Sequence, residues 1–190
     1  MSRVRPRRWW LAPVLVLVLG LTAAGAYFAR DWYGAAEEET GGPAGETLPL
    51  AEQPGSPTVE LSPDATAHPL GESVRQLLQT YFDAINGRNF DRWQTTVTAD
   101  RVAATSEQQW LNDYDSTQDG SILVYRIESA PRNTLRVQVG FTSKQDIAQA
   151  PADLQVECIN WYLALPVTKQ GGQWKIAEAE PGGKQVNKPC

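Results

Sequence analysis

Residues 74–93, VRQLLQTYFDAINGRNFDRW, decide the fold of this chain. Their apolar side chains recur at intervals of three and four, which predicts an amphipathic helix that buries one stripe. Asn86 and Gly87 come directly after the stripe and offer the left-handed residue that closes such a helix. The stripe consists of Val74, Leu77, Leu78, Tyr81, Phe82 and Ile85.

Two shorter helices are predicted after the first. The second one buries Phe90, Trp93 and Val97. The third begins at a cap formed by Thr105 or Ser106. It buries Trp110, Leu111 and Tyr114. Four tryptophans lie on apolar stripes and are expected in the core: Trp93, Trp110, Trp161 and Trp174.

After Gly120 the apolar residues alternate with period two, which predicts strands. One hairpin joins residues 122–127 to 135–141 through the turn signal at 131–133. A second hairpin joins residues 154–168 to 173–180 through Gly171 and Gly172. The expected domain is therefore α+β, with three N-terminal helices packed on a curved, cone-like antiparallel sheet.

These residues resemble the nuclear-transport-factor-2-like superfamily, whose cone-shaped fold also occurs in ketosteroid isomerases. Two segments carry the resemblance: the opening at 74–93 and the ending WYLALPV followed by GGQWKIAEAEP at 161–181. The resemblance implies a domain at 71–190 with ligands bound at the open end of the cone. It is also similar to membrane-anchored members in high-GC Gram-positive bacteria, which implies a setting on the outer face of the plasma membrane.

The N-terminal region predicts a membrane anchor. Residues 9–29 read WWLAPVLVLVLGLTAAGAYFA, 21 residues without a charge, which as a helix span the roughly 30 Å of a bilayer core. The arginines of the basic segment 1–8 predict a cytoplasmic N terminus, and the C-terminal domain of this single-pass plasma-membrane protein is then extracytoplasmic. A cleaved signal peptide remains the alternative, because Ala24-Gly25-Ala26 is a passable cleavage site despite the bulky Tyr27 and Phe28 beside it.

Residues 30–70 are rich in proline, glycine and acidic side chains, and they include His68, the only histidine of the chain. Such a composition cannot bury enough apolar surface to order the chain, which predicts a disordered extracytoplasmic linker. The charges of residues 71–190 are close to balance within a net charge of −5. The sequence therefore offers no basic patch for nucleic acid.

The chain has two cysteines, Cys158 and Cys190. In an exported protein, an even pair predicts a disulfide. Because Cys158 lies on the third predicted strand and Cys190 is the last residue, this bond would fasten the C-terminal tail to the sheet.

Several polar residues of the domain are expected to reach the cavity of the cone. They cannot be matched residue by residue to the acid and base groups of the isomerase-like enzymes, so no catalytic residue is assigned. The sequence also contains no motif for a cofactor or a metal ion. The ligand-pocket candidates are Tyr81, Asp113, Tyr114, Tyr125, Arg126, Glu157, Asn160 and Tyr162.

Three functions follow as hypotheses. The first is a non-catalytic envelope module that binds a protein partner or a small apolar ligand. The second is an acid-base enzyme of the isomerase, dehydratase or hydrolase type that uses the cavity. The third is an accessory subunit of an envelope machine. The face of its sheet would then form the interface with a partner, and the same face could form a homodimer.

Overall fold

The computed structural model describes residues 48–179 and 186–190. The predicted cytoplasmic segment 1–8, the predicted anchor 9–29 and the first part of the predicted linker lie outside these residues. Within the described part of the chain, no helix has the length and apolar character that crossing a membrane requires.

The described residues form five α-helices and a six-stranded sheet. Two 3₁₀ turns, Leu50–Glu52 and Ile147–Gln149, accompany them. The helices are α1 Pro63–Ala67, α2 Gly71–Asn86, α3 Phe90–Gln94, α4 Ala99–Ala104 and α5 Glu107–Tyr114. The strands are β1 Val59–Leu61, β2 Gln118–Ala130, β3 Thr134–Lys144, β4 Cys158–Gln170, β5 Gln173–Ile176 and β6 Val186–Pro189.

The sheet is strongly curled into a half-barrel, and this confirms the predicted α+β class with a curved sheet. Its strands follow the order β1-β2-β3-β4-β5, and β6 pairs with β4 beyond the end of β5. The long strands β2, β3 and β4 pair antiparallel, as predicted. The first strand differs, because β1 pairs with β2 in parallel.

Helix α2 lies in the hollow of the sheet. Its stripe buries Val74, Leu78 and Phe82 almost completely, as the spacing of residues 74–93 predicts. These side chains belong to one core cluster with the inner residues of the sheet, among them Val124 and Val137. Burial of side chains of this size stabilises a fold by about 1.5 to 3 kcal/mol each, so the contact between α2 and the sheet contributes strongly to the stability of the domain.

The end of α2 corrects the prediction for Asn86 and Gly87. Gly87 has a φ of −91°, and the left-handed residue is Arg88, with a φ of 51°. The guanidinium of Arg88 compensates for this conformation, because it donates to the backbone carbonyls of Asn86 at 2.6 Å and Asp115 at 2.6 and 2.9 Å. The arginine thus joins the end of α2 to the end of α5.

The predicted linker boundary at residue 70 is wrong, because residues 48–70 are part of the fold. Val59 on β1 is 1 % exposed, and its backbone N–H donates to the side chain of Gln79 on α2. The segment before β1 also crosses β2 so closely that a side chain at Gly120 would collide with the backbone of Pro54 and Gly55. This proline-rich segment is ordered by the buried Val59 and by contacts of its backbone with β2 and α2. The composition of the segment does not reveal these contacts.

The number of helices also differs from the predicted three, since α1 and α4 were not expected. Both are short, with five and six residues, so they offer too few turns for a periodic pattern. The cap of the third predicted helix is confirmed, because the Ser106 hydroxyl accepts from the backbone N–H of Gln109. The hairpin turn at Gly171 and Gly172 is confirmed as well, since both have positive φ angles.

A disulfide joins Cys158 and Cys190, as the two cysteines predicted. The tail next to it forms β6, which pairs with residues 159–162 of β4. The backbone N–H of Cys190 also donates to the carbonyl of Cys158. The described end of the chain is therefore part of the sheet.

Replacing both cysteines, Cys158→Ser and Cys190→Ser together, is expected to lower the free energy of unfolding. The bond closes a loop with a sequence separation of 32, which in the chain-entropy estimate contributes about 3 to 4 kcal/mol. Urea unfolding followed by circular dichroism measures the loss. Reductant should produce the same loss in the original protein and none in the variant; equal unfolding midpoints for both proteins would contradict the expectation.

Candidate functional site

A cavity of about 310 Å³ opens between α2, the end of α5 and the inner face of the sheet. Its wall is mostly apolar and aromatic, with a group of polar side chains on the side of α5 and the start of β2. Its lining residues are Tyr81, Phe82, Ile85, Asp113, Tyr114, Thr117, Asp119, Phe141, Ser143, Gln145, Gln149, Pro151, Trp161, Leu163 and Leu165.

Asp119 is the buried carboxyl group of this cavity, and its residue is 4 % exposed. The hydroxyl of Ser143, which lies opposite on β3, donates a short hydrogen bond to Asp119 Oδ1. The side-chain amide of Asn86, in the last turn of α2, accepts from the Asp119 backbone N–H at 2.7 Å and donates to its carbonyl at 2.9 Å. Helix α2 thereby sets the position of the carboxyl group in the cavity.

Burial raises the pKa of Asp119 to about 6. The hydrogen bond from Ser143 and the charge of Arg88 act in the opposite direction, but they do not outweigh the loss of water around the carboxylate. Asp119 can therefore hold or release a proton near neutral pH. A carboxyl group of this kind can bind a cation, donate a hydrogen bond or transfer a proton.

Two tyrosines complete the polar side of the cavity. The phenol of Tyr81 and the burial of the site raise the pKa of Tyr114 well above its usual range. The Tyr114 hydroxyl therefore stays protonated near neutral pH and can donate or accept a hydrogen bond. Tyr81 comes from the stripe of α2, and Tyr114 is the last residue of α5.

The loop between β3 and β4 covers one side of the cavity through Gln145, Gln149 and Pro151. Polar contacts fasten this loop to the end of α5. The Gln149 side chain accepts from the hydroxyl of Ser116 at 2.5 Å and donates to the carbonyl of Asn112 at 2.8 Å. These contacts are exposed, so the loop is held mainly by hydrogen bonds that compete with water.

The structure brings three of the eight pocket candidates into the cavity: Tyr81, Asp113 and Tyr114. Of these, Asp113 is exposed and accepts from the Gln109 side chain. The other five do not line it. They lie on the outer face of the sheet or in exposed positions: Tyr125, Arg126, Glu157, Asn160 and Tyr162.

Strand β2 contains two register shifts, and the second explains why Arg126 does not face the cavity. One lies between Gly120 and Leu123, and the other lies between Val124 and Arg126. Each inserts an extra residue, and a bulge of this kind reverses which side chains face inward. Tyr125 is the extra residue of the second bulge, and its ring packs over Gly140 on the outer face.

The remaining candidates on the sheet make their contacts on its outer face. Tyr162 stacks on Tyr125 with ring centroids 6.3 Å apart, and Asn160 accepts from the hydroxyl of Thr142. Arg126 forms an exposed ion pair with Asp64. These contacts are structural, and none of them reaches the cavity.

Sequence reasoning missed Asp119 and Ser143. The first bulge places Asp119 on the inner face, although simple alternation from Ile122 would place it outside. One feature of the sequence indicates Asp119: it is a carboxylate next to Gly120, in a segment that leads directly into an apolar strand. Trp161 also differs from prediction, because it lines the cavity rather than the closed core.

A comparison of the chain with protein-family models and with the sequences of curated proteins finds no match. Within the described residues, no group of three or more histidine, cysteine, aspartate or glutamate side chains is placed to hold a metal ion. The site is therefore interpreted from its own geometry.

The buried carboxyl group predicts a pH dependence of stability. The pKa of Asp119 is raised from 3.8 to about 6 in the fold. The stability that the protonated carboxyl group contributes is therefore fully present below the unfolded pKa of 3.8 and is lost as the pH rises through 6. In urea unfolding, the stability of the original protein relative to Asp119→Asn should fall by about 2 kcal/mol between pH 4 and 7.5. The exposed Asp113→Asn serves as control, and a constant difference across this range would contradict the expectation.

Proposed function

We propose that this chain is a membrane-anchored binding protein of the cell envelope, whose extracytoplasmic domain takes up a small apolar ligand without changing it chemically. Residues 9–29 hold the protein in the plasma membrane, and the cavity between α2 and the sheet receives the ligand. The observation that carries the proposal is the cavity itself.

The size and lining of the cavity support ligand binding. A volume of about 310 Å³ lies at the lower end of the range for small-molecule sites. Phe141 and Trp161 form a continuous aromatic wall, with ring centroids 6.4 Å apart, and Leu163 and Leu165 extend it. Apolar walls with a few buried polar groups are typical of such sites.

The disulfide supports the extracytoplasmic location. Bonds such as that between Cys158 and Cys190 persist in oxidising compartments and are rare in the cytosol. The uncharged run at 9–29 and the arginines before it are consistent with that location.

The arrangement of α2 inside a curled sheet is compatible with the nuclear-transport-factor-2-like superfamily. We propose this relationship on two grounds: the sequence resemblance of residues 74–93 and the half-barrel sheet that surrounds this helix. In such a fold the cavity occupies the open end of the cone.

Binding can be tested on a chain shortened to residues 46–190, with the apolar fluorophore N-phenyl-1-naphthylamine. We expect saturable binding of one fluorophore per chain, and Leu163→Trp should weaken it at least tenfold because the larger ring fills the cavity. The matched control is Gln138→Trp, which adds the same ring on the outer face, next to Ala164. Unsaturable binding, or equal binding by both variants, would argue against the proposal.

Anchoring can be tested by fractionating bacterial cells that express the full chain. We expect it to stay with the membranes after washing with sodium carbonate at high pH, because residues 9–29 cross the bilayer. A chain shortened to residues 46–190 should remain in solution. Release of the full chain, together with a mass that lacks the first 26 residues or so, would establish the cleaved signal peptide instead.

Asp119 favours the acid-base enzyme as a second candidate. A buried carboxyl group with a pKa of about 6 beside the Tyr114 phenol has the properties of a general acid or base. Ligand recovered from the purified protein separates the two functions. This ligand is then incubated with the protein in deuterated water. If the protein is an enzyme, the ligand should take up deuterium at a carbon atom, and the Asp119→Asn variant should not catalyse this exchange. If the protein only binds the ligand, the ligand stays unlabelled.

A further inference from the structure

The side chains that can carry a charge in the cavity wall are acidic. Asp113 and Asp119 line it, while no lysine, arginine or histidine is among its described lining residues. The other polar side chains of the wall are hydroxyls and amides, including those of Tyr81 and Gln145. Fixed negative charge in a confined apolar site repels anions and attracts cations.

The buried carboxyl group lacks a cationic partner among the described residues. Asp119 accepts one side-chain hydrogen bond there, from the neutral hydroxyl of Ser143, and forms no ion pair. Arg88 is the cation whose charge acts on it. However, Arg88 directs all three of its guanidinium nitrogens to the carbonyls of Asn86 and Asp115.

A buried carboxylate is normally balanced by an opposite charge, because burial removes the water that would otherwise solvate it. In this cavity, that charge can come from a ligand. The fold holds the carboxyl group in place without such a ligand, since Asn86 binds both backbone groups of Asp119.

The aromatic wall suits the same kind of ligand. Phe82 and Phe141 lie with ring centroids 4.9 Å apart, and Phe141 is followed by Trp161. The faces of such rings attract organic cations and also bury hydrocarbon. One wall can therefore hold the apolar body of a ligand while Asp119 holds its charge.

We propose that the ligand of this cavity is a small apolar molecule that carries one positively charged amine, with the amine bound to Asp119 and the hydrocarbon against Phe141 and Trp161. This inference rests on the proposed function of the cavity as a ligand site. It adds the chemical class of the ligand and excludes carboxylates and phosphates of the same size.

The proposal predicts a specific dependence on pH. An alkylamine stays protonated below about pH 9, so its binding should follow the ionisation of Asp119 and strengthen as the pH rises from 5 to 7. The groups around Asp119 do not obscure this dependence. Arg88 is the cation whose charge acts on it, the pKa of the Tyr114 phenol is raised well above its usual range, and the side chains of Ser143 and Asn86 do not titrate. Asp113 is the second carboxyl group of the cavity, and its contribution is measured separately with Asp113→Asn.

Three compounds with the same ring system test the charge preference: 2-naphthylmethylamine, 2-naphthylmethanol and 2-naphthoate. Binding to the full chain in lipid nanodiscs is measured by calorimetry, with empty nanodiscs as the reference. At pH 7 we expect the amine to bind at least tenfold more tightly than the alcohol, and the carboxylate more weakly than either. At pH 5 the advantage of the amine should shrink about tenfold, because a carboxyl group with a pKa near 6 is then mostly neutral.

Asp119→Asn should abolish the preference for the amine and leave binding of the alcohol within about twofold, whereas Asp113→Asn should reduce the preference less. Equal binding of amine and alcohol at pH 7 would overturn the inference but not the proposed function, provided that Leu163→Trp still blocks the alcohol. If none of the three compounds binds, both fail. The pH series on the original protein decides the matter even if a variant does not fold.

Discussion

The packing of α2 into the hollow of the sheet is the constraint on which the rest of this structure depends. The stripe that includes Leu78 and Phe82 requires a concave apolar surface, and the curled strands β2, β3 and β4 supply it. At its C-terminal end the helix no longer fills the hollow completely, and the space left there is the cavity. Core and cavity are thus two parts of one helix–sheet interface.

The last turn of α2 connects stability to the candidate site. Asn86 holds both backbone groups of Asp119, and Arg88 joins the same helix end to the carbonyl of Asp115. A substitution in this turn would therefore act on the position of the buried carboxyl group as well as on the fold. The polar side of the cavity is built from contacts that are distant in sequence.

The elements with long periodic patterns could be predicted from the sequence, and those set by local irregularities could not. The stripe of residues 74–85 and the alternation in β3 are visible because each side chain repeats the same environment. The bulges of β2 interrupt that repetition, so simple alternation misses Asp119 and places Arg126 in the cavity. Residues 48–61 were assigned to a linker because their order comes from tertiary contacts such as that between Val59 and Gln79.

For the site, the three candidates that line the cavity come from α2 and α5, where helical spacing indicates which side faces the sheet. The candidates on β4 do not line the cavity. Neighbouring residues of a strand point to opposite faces, and the composition of residues 160–163 does not indicate which of them face inward. The disulfide could be predicted because the chain has two cysteines and one possible pairing.

The strand β6 also covers a backbone edge of the sheet. Without it, residues 159–162 of β4 would present a free backbone edge, and such edges pair readily with strands of other molecules. The strand β6 occupies that edge, and its Pro189 has no backbone N–H to offer a further strand. The disulfide between Cys158 and Cys190 holds β6 against β4, so the oxidation state of the two cysteines decides how firmly this edge of the sheet is covered.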